Sequence, residues 1–321
     1  MKPPGCWRTG GMLADVLSPL QAITEIATAT RLARPGWRAP VPVICCGNAT
    51  VGGAGKTPLA LDLLHRLHAQ GIAAHALTRG HGGRLRGPLH VDAAYHTADD
   101  VGDEALLLAE AAPVWIGADR GATARVAVAE GAQALVLDDG LQNPTLEKTA
   151  SLLVIDGGQG FGNGRLLPAG PLREPVAVAA ARCVAAVLIG PDSTGALDAL
   201  PASLPVLRAR LVPSAGMRAL TGERVLAFAG IGRPEKFFAT LRDVGACLAG
   251  TVPFPDHHRF SPGDLRRLRQ AADRANARLV TTAKDHVRLP VADRAGVVRA
   301  DVALEWQDEA AVQAVLNDLF R

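Results

Sequence analysis

The segment Thr50-Val51-Gly52-Gly53-Ala54-Gly55-Lys56-Thr57 has the residue types of a phosphate-binding loop. Glycines let backbone N–H groups close around phosphate oxygens, a lysine reaches the β- and γ-phosphates, and a threonine hydroxyl ligates magnesium. The strict pattern has glycine where Thr50 stands, so this is a variant in which Gly52, Gly53 and Gly55 still supply the flexible backbone. Asp138-Asp139-Gly140 offers two carboxylates after an apolar run, where P-loop enzymes hold the metal-binding acid. Without a phosphate loop in the same sheet, such a pair reads as a solvated turn. Asp103, in Gly102-Asp103-Glu104, has two readings: an N-cap accepting backbone hydrogen bonds, or a general base for an attacking hydroxyl. His257 and His258, after Phe254-Pro255-Asp256, are paired loop histidines that read equally well as surface residues. Arg79, Arg120 and Arg173 stand in loop segments after strands, where arginines contact phosphate or simply meet solvent.

These residues require a scaffold of short strands with functional loops at their ends. From Val41 onward, β-prone runs alternate with helical stretches, the pattern of an α/β protein with a mainly parallel sheet flanked by helices. Strands are expected at 41–46, 72–78, 113–117, 134–138, 151–155 and 184–189. Helices are expected at 57–70, 103–111 and 121–130; the first has Pro58 in its opening turn and Gly71 at its end. The Gly- and Pro-rich stretch 157–175 reads as a long functional loop. A second, smaller α/β unit follows, with strands at 225–229 and 279–282 and helices at 234–243 and 261–275. The expected organisation is an N-terminal amphipathic segment (1–40), a phosphate-loop domain (41–212), a smaller domain (223–295) and a C-terminal strand and helix (296–321) packing on either.

The 321 residues carry a net charge of +3, all of it in the first 40, where Lys2, Arg8, Arg31, Arg34 and Arg38 outnumber Asp15 and Glu25. A folded remainder without charge excess argues against nucleic acid as a partner, and no obligate protein partner is evident. Met12, Leu13, Val16, Leu17, Leu20, Ile23 and Ile26 recur at helical spacing. Asp15, Gln21 and Glu25 interrupt the stretch and Pro19 kinks it, so it reads either as an interfacial membrane helix or as a helix packed on the body, not as a membrane span. Cys6, Cys45, Cys46, Cys183 and Cys247 form no C-x-x-C pair and read as reduced core thiols, without zinc or redox spacing.

Taken in order, the motifs resemble those of the tetraacyldisaccharide 4′-kinase family over nearly the whole chain. The resemblance rests on Gly47-Asn48-Ala49-Thr50 through Pro58, Thr78-Arg79-Gly80-His81-Gly82-Gly83, Val101-Gly102-Asp103-Glu104, Gly117-Ala118-Asp119-Arg120 and Asp138-Asp139-Gly140-Leu141-Gln142. It continues through Gly162-Asn163-Gly164-Arg165, Leu167-Pro168-Ala169-Gly170-Pro171-Leu172-Arg173-Glu174, Phe254-Pro255-Asp256-His257 and Thr281-Thr282-Ala283-Lys284-Asp285. It implies a P-loop kinase fold, ATP and Mg²⁺, an acylated disaccharide lipid as substrate, and attachment to the cytoplasmic face of a bacterial inner membrane. It makes Asp103 the favoured base, with His257 orienting or tuning it across an interdomain cleft, and Arg79, Glu104, Arg120, Gln142 and Arg173 substrate or phosphate contacts. Lys56 and the loop amides are expected to hold the ATP phosphates, with Thr57 and Asp139, Asp138 nearby, organising Mg²⁺. Two positions depart from the family: Asn143 replaces a histidine and cannot titrate, and Ala283 replaces a glutamate.

Two other classes compete. A P-loop GTPase or metallochaperone would use nucleotide as a switch, but its Asn-Lys-x-Asp guanine reader is missing, and Lys284-Asp285 matches it neither in spacing nor in a preceding Asn. A membrane-surface binding protein with a degenerate phosphate loop is disfavoured by intact Lys56, Thr57, Asp138 and Asp139.

Overall fold

A computed structural model describes residues 4–320; Lys2, one of the N-terminal basic residues, lies outside them. Helix α1 (Met12–Leu17) and helix α2 (Gln21–Leu32) are joined by a 3-10 turn at Ser18–Leu20 that contains Pro19, as expected where proline removes a helical donor. Their polar side chains face the body. Gln21 Oε1 accepts from the Leu166 amide (2.7 Å), Thr24 donates to the Leu167 carbonyl (2.7 Å), and Arg165 reaches Ser18 and Asp15. The apolar face points outward: Met12 is 83% and Ile26 66% exposed, and Leu13, Val16, Leu20 and Ile23 are exposed with them. The helices do dock on the body, as one of the two sequence readings has it, but through their polar side chains, which leaves the apolar stripe facing outward.

The strands of the large sheet are β1 (Val43–Gly47), β2 (Ala74–Thr78), β3 (Leu89–His90), β4 (Val114–Ile116), β5 (Ala134–Asp138), β6 (Ala150–Asp156), β7 (Ala185–Ile189) and β8 (Val206–Pro213). Those of the small sheet are β9 (Arg224–Ala229), β10 (Cys247–Pro253), β11 (Arg278–Thr282) and β12 (Val298–Ala300), after which β13 (Val302–Trp306) returns to the large one. The large-sheet order is β13-β8-β7-β6-β1-β5-β2-β4-β3, parallel except at its two edges, and the small-sheet order β10-β9-β11-β12 is parallel throughout. The mixed α/β architecture with a mainly parallel sheet is as the sequence indicates. The small sheet reaches Ala300, past the limit expected at 295, and the last strand pairs antiparallel with β8.

Strand β1 lies at the centre, between β5 and β6, with Val43 and Cys45 in the apolar core on one face and Ile44 and Cys46 in that on the other. Two-faced burial explains its unbroken apolar run, and it pushes the Cys45 thiol up to about 11. Cys247 is exposed, so the expectation of core thiols fails there; it sits at the start of an edge strand. Helix α3 (Lys56–Ala69) buries Leu59, Leu63, Leu64 and Leu67 against the sheet. Helix α4 (Asp103–Ala109) and helix α5 (Arg120–Ala129) cover the sheet further along.

In the small unit, helix α6 (Pro234–Asp243) and helix α7 (Pro262–Arg274) cover opposite faces of the sheet. Ser261 caps α7 reciprocally with Asp264, a capping box. Helix α8 (Ala283–Arg288) follows β11 directly, with the Thr282 side chain accepting from the Asp285 amide. Helix α9 (Glu309–Asp318) closes the chain against the large sheet.

The ion pairs joining the two units share one polarity. Asp99, Asp103, Glu104, Glu110 and Asp156 of the large unit meet Arg259, Arg288, Lys284, Arg299 and Arg233 of the small one, respectively.

Candidate active site

Register places the phosphate loop and the paired acids side by side. Cys46 at the end of β1 lies opposite Asp138 at the end of β5, and the Asp139 amide donates to the Cys46 carbonyl at 3.0 Å. Chain direction turns at Gly55, whose φ of +94° suits glycine and which caps α3. The loop is braced from the 171–174 segment. The Val51 amide donates to the Pro171 carbonyl (2.8 Å), the Arg173 amide to that of Ala49 (2.7 Å), and Gln142 Nε2 to that of Asn48 (2.9 Å). Lys56 Nζ donates to Asn48 Oδ1 at 3.0 Å and lies 3.6 Å from Asp139 Oδ1. Thr50, where glycine is usual, accepts from Asn48 Nδ2 at 3.1 Å, so its hydroxyl is used to brace the loop.

The sequence pairs Thr57 first with Asp139; the structure pairs it with Asp138, whose Oδ2 accepts the Thr57 hydroxyl at 3.0 Å. Asp139 instead holds Arg173 Nη1 (3.0 Å) and faces Lys56, because its φ of +59° turns its side chain away from the strand direction. Asp138 Oδ1 is buried without a hydrogen-bond partner. Burial, then the charge of Glu104, pushes the Asp138 carboxyl up to about 7. An orphaned carboxylate oxygen beside a threonine hydroxyl fits Mg²⁺, which takes one or two carboxylates and completes its shell with water and phosphate oxygens. Although burial opposes it, Asp139 is held below the usual carboxylate range by Lys56 and Arg173.

Asp103, 4% exposed, opens α4. Its preceding residue must be glycine, since Gly102 has φ +87° and a Cβ there would lie 2.4 Å from the His81 carbonyl. The N-cap reading fails, since Gly102 is the N-cap and Asp103 the first helical residue, with no side-chain cap hydrogen bond. Its Oδ1 accepts the Glu104 amide (2.8 Å), whereas Oδ2 meets the Arg288 guanidinium and lies 3.6 Å from His257 Nδ1. Burial alone would raise the Asp103 pKa, but His257, Arg288 and Lys284 together depress it far below the ordinary value. His257 is raised by the Asp103 carboxylate against the opposing effects of burial and Arg288. It sits at φ +57°, and the His81 ring packs edge-on at 5.9 Å. Asp139, His257 and Asn276 are the non-glycine residues with positive φ among those described; two of them lie here, where backbone strain tends to collect. His258 is different: its Nε2 meets Asp264 at 3.2 Å and its ring stacks on Phe254.

The remaining candidates separate. Gln142 and Arg173 join the Asp139 cluster, with Arg173 Nη1 3.2 Å from Gln142 Oε1. Glu104 Oε1 is taken by Lys284 Nζ at 2.6 Å. Arg79 is exposed, whereas Arg120 is only 2% exposed, donates to the Gly117 carbonyl and leaves its Nε unpaired; burial lowers its pKa to about 10. Asn143 accepts from the Thr145 amide and hydroxyl (3.0 and 2.8 Å), a turn-forming role that needs no titration. Sequence reasoning missed Asn48, Lys284 and Arg288. The i, i+4 spacing of Lys284 and Arg288 was the available signal for a cationic helix face.

The family model described as tetraacyldisaccharide-1-P 4′-kinase matches residues 13–321. A tetraacyldisaccharide 4′-kinase of Gluconacetobacter diazotrophicus is 57% identical over 99% of this chain and 98% of its own length. That of Rhodospirillum centenum is 55% identical over 99% and 94%. Among solved structures, LpxK from Aquifex aeolicus in complex with ATP superposes with a TM-score of 0.78, covering 97% of this chain and 100% of that one at 24% identity. Extent and identity together place the chain in the tetraacyldisaccharide-1-P 4′-kinase family.

Proposed function

We propose that this chain transfers the γ-phosphoryl group of ATP to the 4′-hydroxyl of a tetraacyldisaccharide 1-phosphate, a step of lipid A synthesis. The observation that carries the reading is the Thr57 hydroxyl donating at 3.0 Å to Asp138, whose other carboxylate oxygen is left without a partner beside the phosphate loop, in a chain of this kinase family. In this reading Lys56 and the loop amides hold the phosphates, and Arg173 fixes Asp139 against Lys56. Asp103 Oδ2 receives the hydroxyl proton as the sugar oxygen bonds to the γ-phosphorus and the bond to the bridging oxygen breaks, leaving ADP. Thr57 and Asp138 are the residues that would hold Mg²⁺, which when bound supplies charge neutralisation at the phosphates. Positioning carries most of the catalysis, since phosphoryl transfer leaves little covalent work to the protein.

The outward apolar face of α1 and α2 supports contact with a membrane surface, taken here to be the cytoplasmic face of the inner membrane, where a multiply acylated substrate is met. No helix among the described residues is long and apolar enough to cross a membrane. Full burial of each such side chain is worth about 1.5–3 kcal/mol, so partial insertion of several is enough for reversible attachment. A guanine-nucleotide switch gains nothing from the site, because Lys284 and Asp285 are engaged with Glu104 and Arg288.

The test is incubation of the purified chain with Mg-ATP and detergent-dispersed tetraacyldisaccharide 1-phosphate, with GTP in parallel. Phosphate transfer from ATP is expected. A folded, ATP-binding preparation that transfers none contradicts the assignment.

A further inference from the structure

The guanidinium of Arg288 is embedded in the seam between the two units, with its side chain 7% exposed. Every neighbour it touches belongs to the Asp103 pocket or supports it. Nη1 donates to Asp285 Oδ1 (2.9 Å) and to the Gly230 carbonyl (2.7 Å), while Nη2 donates to Asp103 Oδ2 and lies 3.2 Å from His257 Nδ1. Asp285, fully buried, is itself held by the Thr282 hydroxyl (2.8 Å) and the Gly230 amide (3.0 Å). The Gly230 carbonyl also accepts the His257 amide at 3.0 Å. One planar fork therefore links β9, the His257 loop and α8 of the small unit to a single carboxylate oxygen of the large one.

We propose that Arg288 is the positioning residue of the Asp103 base: it fixes the carboxylate against the substrate side of the seam and orders the His257 ring beside it. The inference rests on Asp103 acting as the base in the reaction proposed above. Arginine suits the task because its fork is rigid and always charged. A neutral His257 can accept from Arg288 at Nδ1, leaving its N–H at Nε2, whereas a protonated His257 turns a donor toward Asp103 and a like charge toward Arg288. Arg288 thereby disfavours the second state. A buried ion pair is weak support for stability as such, since well-packed apolar groups often do as well. The convergence of these contacts on one buried carboxylate at the seam of the two units is what points to function.

The groups acting on Asp103 are His257 from the loop after β10 and Lys284, Asp285 and Arg288 from α8, with Glu104 next to it on its own helix; Asp256 and the His81 ring lie against His257. Loss of Arg288 takes away one cation and leaves these others, so the acid limb of the kcat/KM profile should move to higher pH.

The experiment compares Arg288→Met and Arg288→Lys with the seam control Arg299→Met, which breaks the Glu110 pair and leaves Asp103 untouched. Substrates are Mg-ATP and the tetraacyldisaccharide 1-phosphate, and the wild type and Asp103→Asn run alongside. Arg288→Met should lower kcat about 100-fold, the scale of a misplaced catalytic group, with the ATP KM within about 3-fold and the acid limb raised. Arg288→Lys should recover part of the loss, and Arg299→Met should stay within about 3-fold of wild type. A wild-type rate in Arg288→Met, or an equal loss in Arg299→Met, overturns the proposal. If Arg288→Met fails to fold, Arg288→Lys decides: reduced kcat at unchanged ATP KM supports it and a wild-type rate overturns it. Full activity in Asp103→Asn would instead remove the base assignment beneath the inference, and no transfer by the wild type would remove the proposed function.

Discussion

The phosphate loop and the Asp103 pocket are built in contrasting ways. The loop is local: β1, its turn and α3 are continuous in sequence, and the adjacent acids come from the next strand of the same sheet. The Asp103 pocket is assembled from a helix start at 103–104, a loop at 257 and a helix at 284–288, brought together across a seam of oppositely charged faces. A site held by local geometry keeps its shape when the neighbouring unit shifts. One shared by two units does not, so it is complete only when they are in register. In the proposed function the arrangement therefore assigns nucleotide binding to side chains of the large unit and proton acceptance to a pocket built from both units.

The contrast is tested most severely by Lys56→Met. Removing the one lysine of the loop should weaken ATP binding and lower transfer together, by about 1,000-fold in kcat/KM; an ATP dissociation constant unchanged by isothermal titration would break the local half of the comparison. The outward face of α2 supplies an intermediate effect. Ile23→Ser combined with Ile26→Ser should reduce partitioning onto anionic phospholipid vesicles about 10-fold or more, with ATP binding unaltered, and undiminished partitioning would argue against this face as the lipid contact.

The smallest effect concerns His257. Its pKa is raised in the folded state by Asp103, so the contact stabilises fully below the ordinary histidine value, about 6.5, and fades as pH rises through the folded value. The melting-temperature difference between wild type and His257→Gln should therefore shrink from pH 5.5 to pH 8.5. A difference that grows with pH would reverse the sign assigned to the pair.

What could be read from the sequence follows the same division. The phosphate loop was legible because strand, turn and helix follow one another, and Asp138 because an apolar run ends on it. Which acid meets Thr57 was not, since that depends on the left-handed backbone at Asp139. Periodicity found the apolar stripe of Met12–Ile26 but carries no information on which way it faces; the polar anchors at Gln21 and Thr24 decide that. Strand β8 was not expected, although Arg208 and Arg210 alternate with buried Leu207 and Ala209 at the two-residue period of a strand. Lys284 and Arg288 drew no site role from the sequence because their partners lie some 180 positions earlier in the chain.

The most direct test of the division is Asp103→Asn, followed by ATP binding and by single-turnover transfer to the tetraacyldisaccharide 1-phosphate on one preparation. The account predicts an ATP dissociation constant within about 3-fold of wild type and transfer reduced by about 100-fold or more. Transfer at the wild-type rate, or ATP binding lost in parallel with it, would contradict the separation of the two sites.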